Sequence, residues 1–349
     1  MKTIKDTDLK DKTVLVRVDY NVPLKDGQIT DDLRIRASLP TLEFLRSHGA
    51  KKIVLISHLG RPEKEDPSLS LEPVAAALDD LIKNVDFISK VSGPEVTKKA
   101  ESLKDGGILL LENLRFFEGE KKNDPDFIKS IIDSVKPDLY VQDGFAVIHR
   151  AHASTDAVKN FLPIYAGLLL EKEVENLSYA IKNPEHPVLL IIGGSKVEDK
   201  QPLIDKFVDL ADHILVGGKI AADGYTSENP KIIVANDFDE DGSGAKLDIG
   251  PVSTSEFVKY INEAKTIIWN GCLGKVEDPA FSTASSIVAQ VIGEKEDIAS
   301  IICGGDTAGF VEEYLKDHEN LHYSLISTGG GAALEFLLGK ELPGLKAIE

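Results

Sequence analysis

The chain has 349 residues, 42% hydrophobic and 28% charged, which describes a globular protein long enough for two domains, each with its own core. A formal net charge of −18 argues against nucleic acid or an anionic membrane as partner. No apolar run approaches the roughly 18 residues that span a bilayer, the Met1-Lys2-Thr3 start is polar, and Cys272 and Cys303 are too few for a disulfide framework or a zinc site, so a cytoplasmic address is expected.

Runs rich in Val, Ile and Leu predict strands at 13–18, 52–57, 85–88, 107–111 and 138–142. After an interval they return at 187–192, 213–216, 231–235, 266–269, 299–303 and 323–327. Helical patterns fall between them, as at Leu39 to Ser47, Leu71 to Lys83, Asp126 to Val135 and Ser255 to Ala264. Continuous apolar strands separated by helices mean parallel sheets covered on both faces. The fold class is therefore α/β, with two doubly wound, Rossmann-like domains. Leu168 to about Lys182 predicts the helix that joins them, ended by Asn183-Pro184. Domain limits are expected at 1–165, 166–184 for the linker helix, and 185–334, with the tail free to return to either domain. The acidic stretch Asp237 to Gly244 reads as an exposed loop.

In open α/β sheets, ligands gather at the carboxyl ends of strands. In the first half those ends read Arg17-Val18-Asp19-Tyr20-Asn21, Ser57-His58-Leu59-Gly60-Arg61, Glu112-Asn113-Leu114-Arg115, and Asp143 followed by His149-Arg150. In the second half they are glycine turns at Gly193-Gly194, Gly217-Gly218, Gly304-Gly305 and Gly329-Gly330-Gly331, with Asn270-Gly271 beside them. A strand, a glycine turn and a helix leave free N–H groups and a positive helix end facing one point, which suits a phosphate. Asp306 is placed to bring magnesium there. One such turn is explained by the βα connection alone; four together point to a polyphosphate ligand.

Seven of the 40 basic residues are arginine (17, 34, 36, 46, 61, 115 and 150), and none follows position 150. A lysine-biased chain is expected to keep arginine where a bidentate fork is needed. Ordinary salt bridges account for Arg46 and Arg17, whereas the other five lie near strand exits and indicate an anionic small molecule. One sheet thus offers arginine and histidine, the other glycine and lysine. Two half-sites of different chemistry across a linker make an architecture for group transfer.

The runs Val16-Arg17-Val18-Asp19-Tyr20-Asn21-Val22-Pro23, Ser57 to Pro62, Leu110 to Phe116, Arg150 to Ser154, Gly193 to Lys200, Gly304 to Thr307 and Ser327 to Ala332 closely resemble phosphoglycerate kinase, in family order over essentially the whole chain. The resemblance implies two doubly wound domains joined by a helix, with residues 335–349 packing back on the first. It implies transfer of a phosphoryl group between 1,3-bisphosphoglycerate and ADP, with Mg2+ accompanying ATP or ADP. The first domain would hold the acid through Asp19, Tyr20, Asn21, Arg34, His58, Leu59, Gly60, Arg61, Arg115 and Arg150. His58 alone would more often be structural, but within His58-Leu59-Gly60-Arg61 it is assigned to the acid. Arg36 points away from Arg34 and reads as structural. The second domain would hold nucleotide through Lys196, Lys200, Gly217, Gly218, Asn270, Glu277, Gly304, Gly305, Asp306 and Thr307, with Asp306 also on the metal. The alternative for Asp306 is a helix N-cap.

An acyl carboxylate is already ionised at neutral pH, so no general base is needed. The cost lies in bringing polyanions together and stabilising charge on the migrating group, which is assigned to Arg34, Lys196 and the backbone near Gly330 and Gly331. Domain closure would exclude water, and two closing domains suggest a monomer acting on small molecules. The family pattern breaks at Lys219, Cys272, Lys275 and a shortened Val234 to Leu247, which leaves the base preference open; Asp143 to Ile148 also strays from the family run before His149. A noncatalytic nucleotide sensor is disfavoured by the intact Arg34, Lys196 and Asp306. A dinucleotide-dependent dehydrogenase is disfavoured because no Gly-x-Gly-x-x-Gly follows a predicted strand, and Gly193 to Lys200 lacks a Walker A ending.

Overall fold

The computed structural model describes residues 1–348. The chain forms two compact units, Met1–Lys172 with the tail from Glu341 onward, and Glu173–Lys340. Each is built on one six-stranded sheet in which every pairing is parallel. The first sheet contains β1 (Thr13–Arg17), β2 (Lys52–Ile56), β3 (Val85–Ile88), β4 (Gly107–Leu111), β5 (Leu139–Gln142) and β6 (Ile164–Ala166), in the spatial order β3-β4-β2-β1-β5-β6. The second contains β7 (Val188–Ile192), β8 (His213–Val216) and β9 (Ile232–Val234). A separate antiparallel hairpin, β10 (Phe238–Glu240) and β11 (Lys246–Ile249), comes next in the chain before β12 (Thr266–Asn270), β13 (Ala299–Cys303) and β14 (Leu325–Ile326) return to that sheet. Its order is β9-β8-β7-β12-β13-β14.

Both orders reverse direction beside the first strand of the sheet, between β1 and β5 and between β7 and β12. Such a switch point opens a crevice at the carboxyl ends, because the flanking helices leave on opposite faces. Burial follows from the same arrangement. Every residue of β4, β7 and β12 is buried, as strands covered on both faces require, while the edge strands β3 and β9 contain none that is fully covered. Val14, Val16, Leu42, Leu45, Ile53, Leu55, Leu110 and Val141 form the centre of the first core, and Leu189, Ile191, Leu215, Trp269, Val288 and Ile302 that of the second. At about 1.5–3 kcal/mol per buried large side chain, these alternating positions fix which residues are left to face the strand exits.

Four helices bear on the strand exits or join the units: α1 (Leu33–Ser47), α2 (Leu168–Lys182), α3 (Val197–Phe207) and α4 (Gly305–Lys316). The division between units falls inside α2. The tail belongs with the first unit, where Gly344 N donates to Ile148 O at 2.9 Å. A Cβ at Gly344 would lie 2.8 Å from that of Ile148, so only glycine permits the approach.

Two local expectations are corrected. Residues 164–166 form a sixth strand of the first sheet that the apolar pattern did not announce, because the run is three residues long and follows Pro163. The acidic stretch is a hairpin rather than a loop. Asp241 Oδ1 accepts from Ser243 N, Ser243 Oγ and Ala245 N, closing its turn, and the Lys246 ammonium lies 4.6 Å from the centre of the Phe238 ring. Acidic residues are rare in strands, and here the turn and the cation–π contact outweigh that preference.

Candidate active site

In the first unit the exits of β1, β2, β4 and β5 carry the predicted acid-binding residues, and parallel pairing brings those exits to one edge. Asp19 is 6% exposed; its Oδ2 is paired with Arg34 Nη1 from the first turn of α1, and its Oδ1 accepts from Asn21 N at 3.2 Å. Asn21 Oδ1 in turn accepts from Gly60 N at 2.7 Å. Arg115 Nη1 donates to Gly60 O at 2.6 Å, so both polar groups of Gly60 are held. Gly60 has φ +66 and would place a Cβ 2.9 Å from Leu69, which explains a glycine there. Asn113 fixes the neighbouring Leu59 through both its N–H and its carbonyl. Arg61 is exposed and has no partner among the described residues, while Arg150 Nε donates to His149 Nε2 at 3.0 Å.

Burial and like charge shape the electrostatics of this edge. Burial, with Arg17 and Arg150 nearby, pushes Arg115 down to about 10. Burial and the surrounding guanidiniums hold His58 well below its usual range, so the ring is neutral. His152 is lowered to about 4 by the same two causes. Tyr20 is fully buried with its hydroxyl on Ser38 Oγ at 2.9 Å; its backbone, donating to Ser57 Oγ at 2.8 Å, is the part that shapes the edge. Arg36 pairs with Asp32 one turn away, and Arg46 caps carbonyls of Ile82, Lys83 and Gly106, so both are structural. Arg17, grouped with Arg46 on sequence grounds, belongs instead to the cluster: it is buried against His58 and Ser154.

In the second unit a cavity of about 480 Å³ opens at the strand exits. Gly194, Lys196, Lys200, Glu277, Gly304, Gly305, Asp306 and Thr307 line it, joined by Asp199, Lys219, Lys246 and Lys275. The glycines divide into two kinds. A Cβ on Gly193 would meet Cys272 O at 2.2 Å, one on Gly271 would meet Gly193 O at 2.2 Å, and one on Gly218 would meet Cys272 O at 2.8 Å. These exits touch backbone to backbone. Gly305, Gly330 and Gly331 meet nothing within 4 Å. Their role is not packing.

Lys200 Nζ is hydrogen-bonded to Asn270 Oδ1, and burial lowers its pKa. Thr307 Oγ1 accepts from Gly271 N at 2.8 Å, tying the head of α4 to the exit of β12. Gly304 occupies the N-cap of α4, so Asp306 is exposed in the first turn with no capping bond and no partner among the described residues. Lys196 sits at the N-cap of α3, exposed and equally free. Burial raises the Cys272 thiol to about 12, which makes it a packing group. Gly217, Gly218, Asn270, Gly330 and Gly331 do not line the cavity, although Asn270 acts on it through Lys200.

The family model described as "Phosphoglycerate kinase" matches residues 4–232 and 222–340. The chain belongs to the phosphoglycerate kinase family. It is 41% identical to the phosphoglycerate kinase of Akkermansia muciniphila, covering 99% of this chain and 97% of that one. It is 40% identical to that of Dictyoglomus turgidum, over 99% and 98%. Among solved structures, phosphoglycerate kinase from Pyrococcus horikoshii OT3 superposes with a TM-score of 0.88 at 29% identity, covering 100% of this chain and 98% of that one. The Coxiella burnetii enzyme gives 0.79 at 32%, over 99% and 98%.

Phosphoglycerate kinases are phosphotransferases, and this chain is accordingly a glycolytic kinase that moves a phosphoryl group between 1,3-bisphosphoglycerate and ADP. The family model matches in two pieces that meet at residues 222–232. There this chain runs from a five-residue helix, Gly218–Ala222, to the edge strand β9 with no further helix. The alignment to the Akkermansia relative extends over 398 positions against the 349 residues of this chain, so at least 49 of them (398 − 349) have no counterpart in this chain.

Proposed function

We propose that the first unit binds the three-carbon acid through Arg34, His58, Arg61, Arg115 and Arg150, and that the cavity of the second unit binds the nucleotide. The observation that supports this is the division of donors. Fork-shaped guanidiniums suit a carboxylate and a phosphate ester. Backbone N–H groups at the heads of α3 and α4, with Lys196 and Lys200, suit a chain of phosphates. Asp19 and Asn21 are the acceptors available for the substrate hydroxyl, although Asp19 is shared with Arg34.

The donor set also fits magnesium. No group of three or more His, Cys, Asp or Glu that could hold a metal is found among the described residues, and a magnesium bound chiefly by phosphate oxygens needs only one or two carboxylates. Asp306, exposed beside Thr307 and without a partner among the described residues, is that carboxylate. When bound, the ion neutralises charge on the phosphate oxygens. The chain's own groups do the rest. Arg34 and Lys196 stabilise charge on the migrating phosphoryl oxygens, with the amides near Gly330 and Gly331, and the acid accepts without a base because its carboxylate is already ionised. Transfer is direct, as an in-line displacement. We place the enzyme in the cytoplasm as a monomer, which sedimentation velocity tests.

Calorimetric titration of two variants separates the half-sites. Arg61→Ala is expected to weaken 3-phosphoglycerate at least tenfold, about the worth of one charged hydrogen bond, and to leave ADP unchanged; Lys200→Met is expected to do the reverse. If either variant loses both ligands equally, the assignment fails.

A further inference from the structure

Arg17 ends β1 and is 1% exposed, the most deeply buried arginine of the cluster, yet it is not among the groups assigned to the acid. Each of its three nitrogens has a partner. Nε donates to Ser154 Oγ at 2.9 Å, Nη1 donates to Val18 O, and Nη2 lies 3.1 Å from His58 Nδ1. Ser154 is itself fixed, since its Oγ donates to Glu120 Oε1 at 2.6 Å and its N donates to Glu120 Oε2 at 3.1 Å. Having given its one proton to a carboxylate, the hydroxyl can only accept from Arg17. Glu120 and Ser154 are both fully buried, so the sequence Glu120–Ser154–Arg17–His58 is a chain of interior hydrogen bonds ending on an imidazole.

The direction of the last link follows from chemistry. A guanidinium donates and never accepts, and it keeps its protons throughout the range in which proteins fold. His58 Nδ1 must therefore be the nitrogen with the lone pair. Asp19 Oδ1 would favour the opposite arrangement, a proton on Nδ1, but at 3.6 Å it lies beyond hydrogen-bonding distance whereas Arg17 lies within it. The ring also faces Arg34 from α1, Arg115 after β4 and Arg150 after β5, and burial together with these guanidiniums and Arg17 outweighs the one nearby carboxylate of Asp19, so a second proton is disfavoured. A neutral ring with a lone pair on Nδ1 carries its proton on Nε2. Nε2 has no partner among the described residues and is not one of the buried unpaired atoms, so it is open to a ligand.

We propose that Arg17 is a positioning residue that fixes His58 as the neutral Nε2–H tautomer, so that His58 offers the phosphoglycerate a directed hydrogen-bond donor and no charge. This rests on the reading that His58 meets the acid. The arrangement has a physical purpose. The arginines already supply positive charge, and another cation among them would be costly. The other tautomer would turn a lone pair toward an anion. Arg17 removes both alternatives without touching substrate.

The experiment is long-range 1H–15N correlation NMR of the full chain labelled in histidine, with steady-state kinetics on the same samples. In the native chain His58 is expected to remain neutral with its proton on Nε2 between about pH 6 and 8, and its Nε2 resonance to move on adding 3-phosphoglycerate. In Arg17→Met, His58 is expected to populate the Nδ1–H or doubly protonated form. KM for 3-phosphoglycerate should then rise about tenfold, with KM for nucleotide unchanged. Ser154→Ala, which keeps the guanidinium but loosens its aim, should shift both readouts part-way. A native His58 protonated on Nδ1, or an Arg17→Met chain that keeps the Nε2–H form, overturns the inference. An Nε2 resonance indifferent to 3-phosphoglycerate overturns the reading beneath it while leaving the tautomer assignment standing, so the two failures are distinguishable.

Discussion

Arg34 is the residue whose loss should be most one-sided. It is paired only with Asp19 among the described residues and remains a quarter exposed, so the donors it does not spend on Asp19 are open to a ligand. Arg34→Ala is expected to lower kcat on the order of 10²–10³, with ADP affinity from titration unchanged; equal losses in both would contradict the role. Asp306→Asn should raise the magnesium concentration needed for half-maximal rate while leaving the melting temperature in place, since that side chain has no partner among the described residues to lose. A variant with unaltered magnesium dependence would remove Asp306 from the metal. At this scale the sequence offers candidates wherever a residue type is itself the chemistry, as with Arg61 or the Gly304-Gly305-Asp306-Thr307 turn. It was uninformative for Arg17. A cation at the end of a strand looks like a solvated one, and only the fold shows Ser154 arriving from 137 positions away.

Among elements, the glycine turns give a contrast that stability measurements can read. Gly271→Ala, with φ +107 and a carbonyl 2.2 Å from the new Cβ, is expected to cost about 3 kcal/mol, which lowers the melting temperature by roughly 6–12 °C. Gly305→Ala opens onto free space and should stay within about 0.5 kcal/mol, while weakening nucleotide by crowding the head of α4. Equal effects on stability would contradict the division. Asp143 gives a second contrast. It is fully buried, its Oδ1 accepts from Thr41 Oγ1 of α1 at 2.9 Å and from Leu169 N at the head of α2 at 3.1 Å, and its Oδ2 is unpaired among the described residues.

Burial raises Asp143 to about 7. The folded chain thus holds a proton that the unfolded chain releases near its ordinary value of 3.8, and the resulting stability is present below that value and lost as pH rises through 7. His152, lowered to about 4, changes stability in the opposite direction, so the signal lies in a difference. The melting temperature of Asp143→Asn minus that of the native chain should climb between about pH 4 and 7; a flat difference would contradict a buried, titrating carboxyl. The strands that carry these exits were legible because two-sided burial demands unbroken apolar runs. Residues 164–166 and the 238–249 hairpin were not, because neither a three-residue strand nor an acidic one is dictated by its own sequence.

For the whole molecule, the chemistry requires no covalent phosphoenzyme. No acid–base group of ordinary pKa is called for, since His58 and His152 are both held neutral in the working range and the accepting carboxylate is already charged. The two-piece architecture could be read from the sequence as two groups of strands separated by a predicted helix, because each group is long enough to bury its own core. The division of donors between those groups was expected from the sequence too; the contacts that fix them, such as Lys200 on Asn270 and Arg17 on Ser154, were not, since those depend on which exits share an edge. Isotope exchange between labelled ADP and ATP tests the division most directly. Direct transfer predicts no exchange by the enzyme with nucleotides and magnesium alone, and rapid exchange once 3-phosphoglycerate is added. Exchange at a comparable rate without the acid would mean that the enzyme carries the phosphoryl group itself, and would contradict the account.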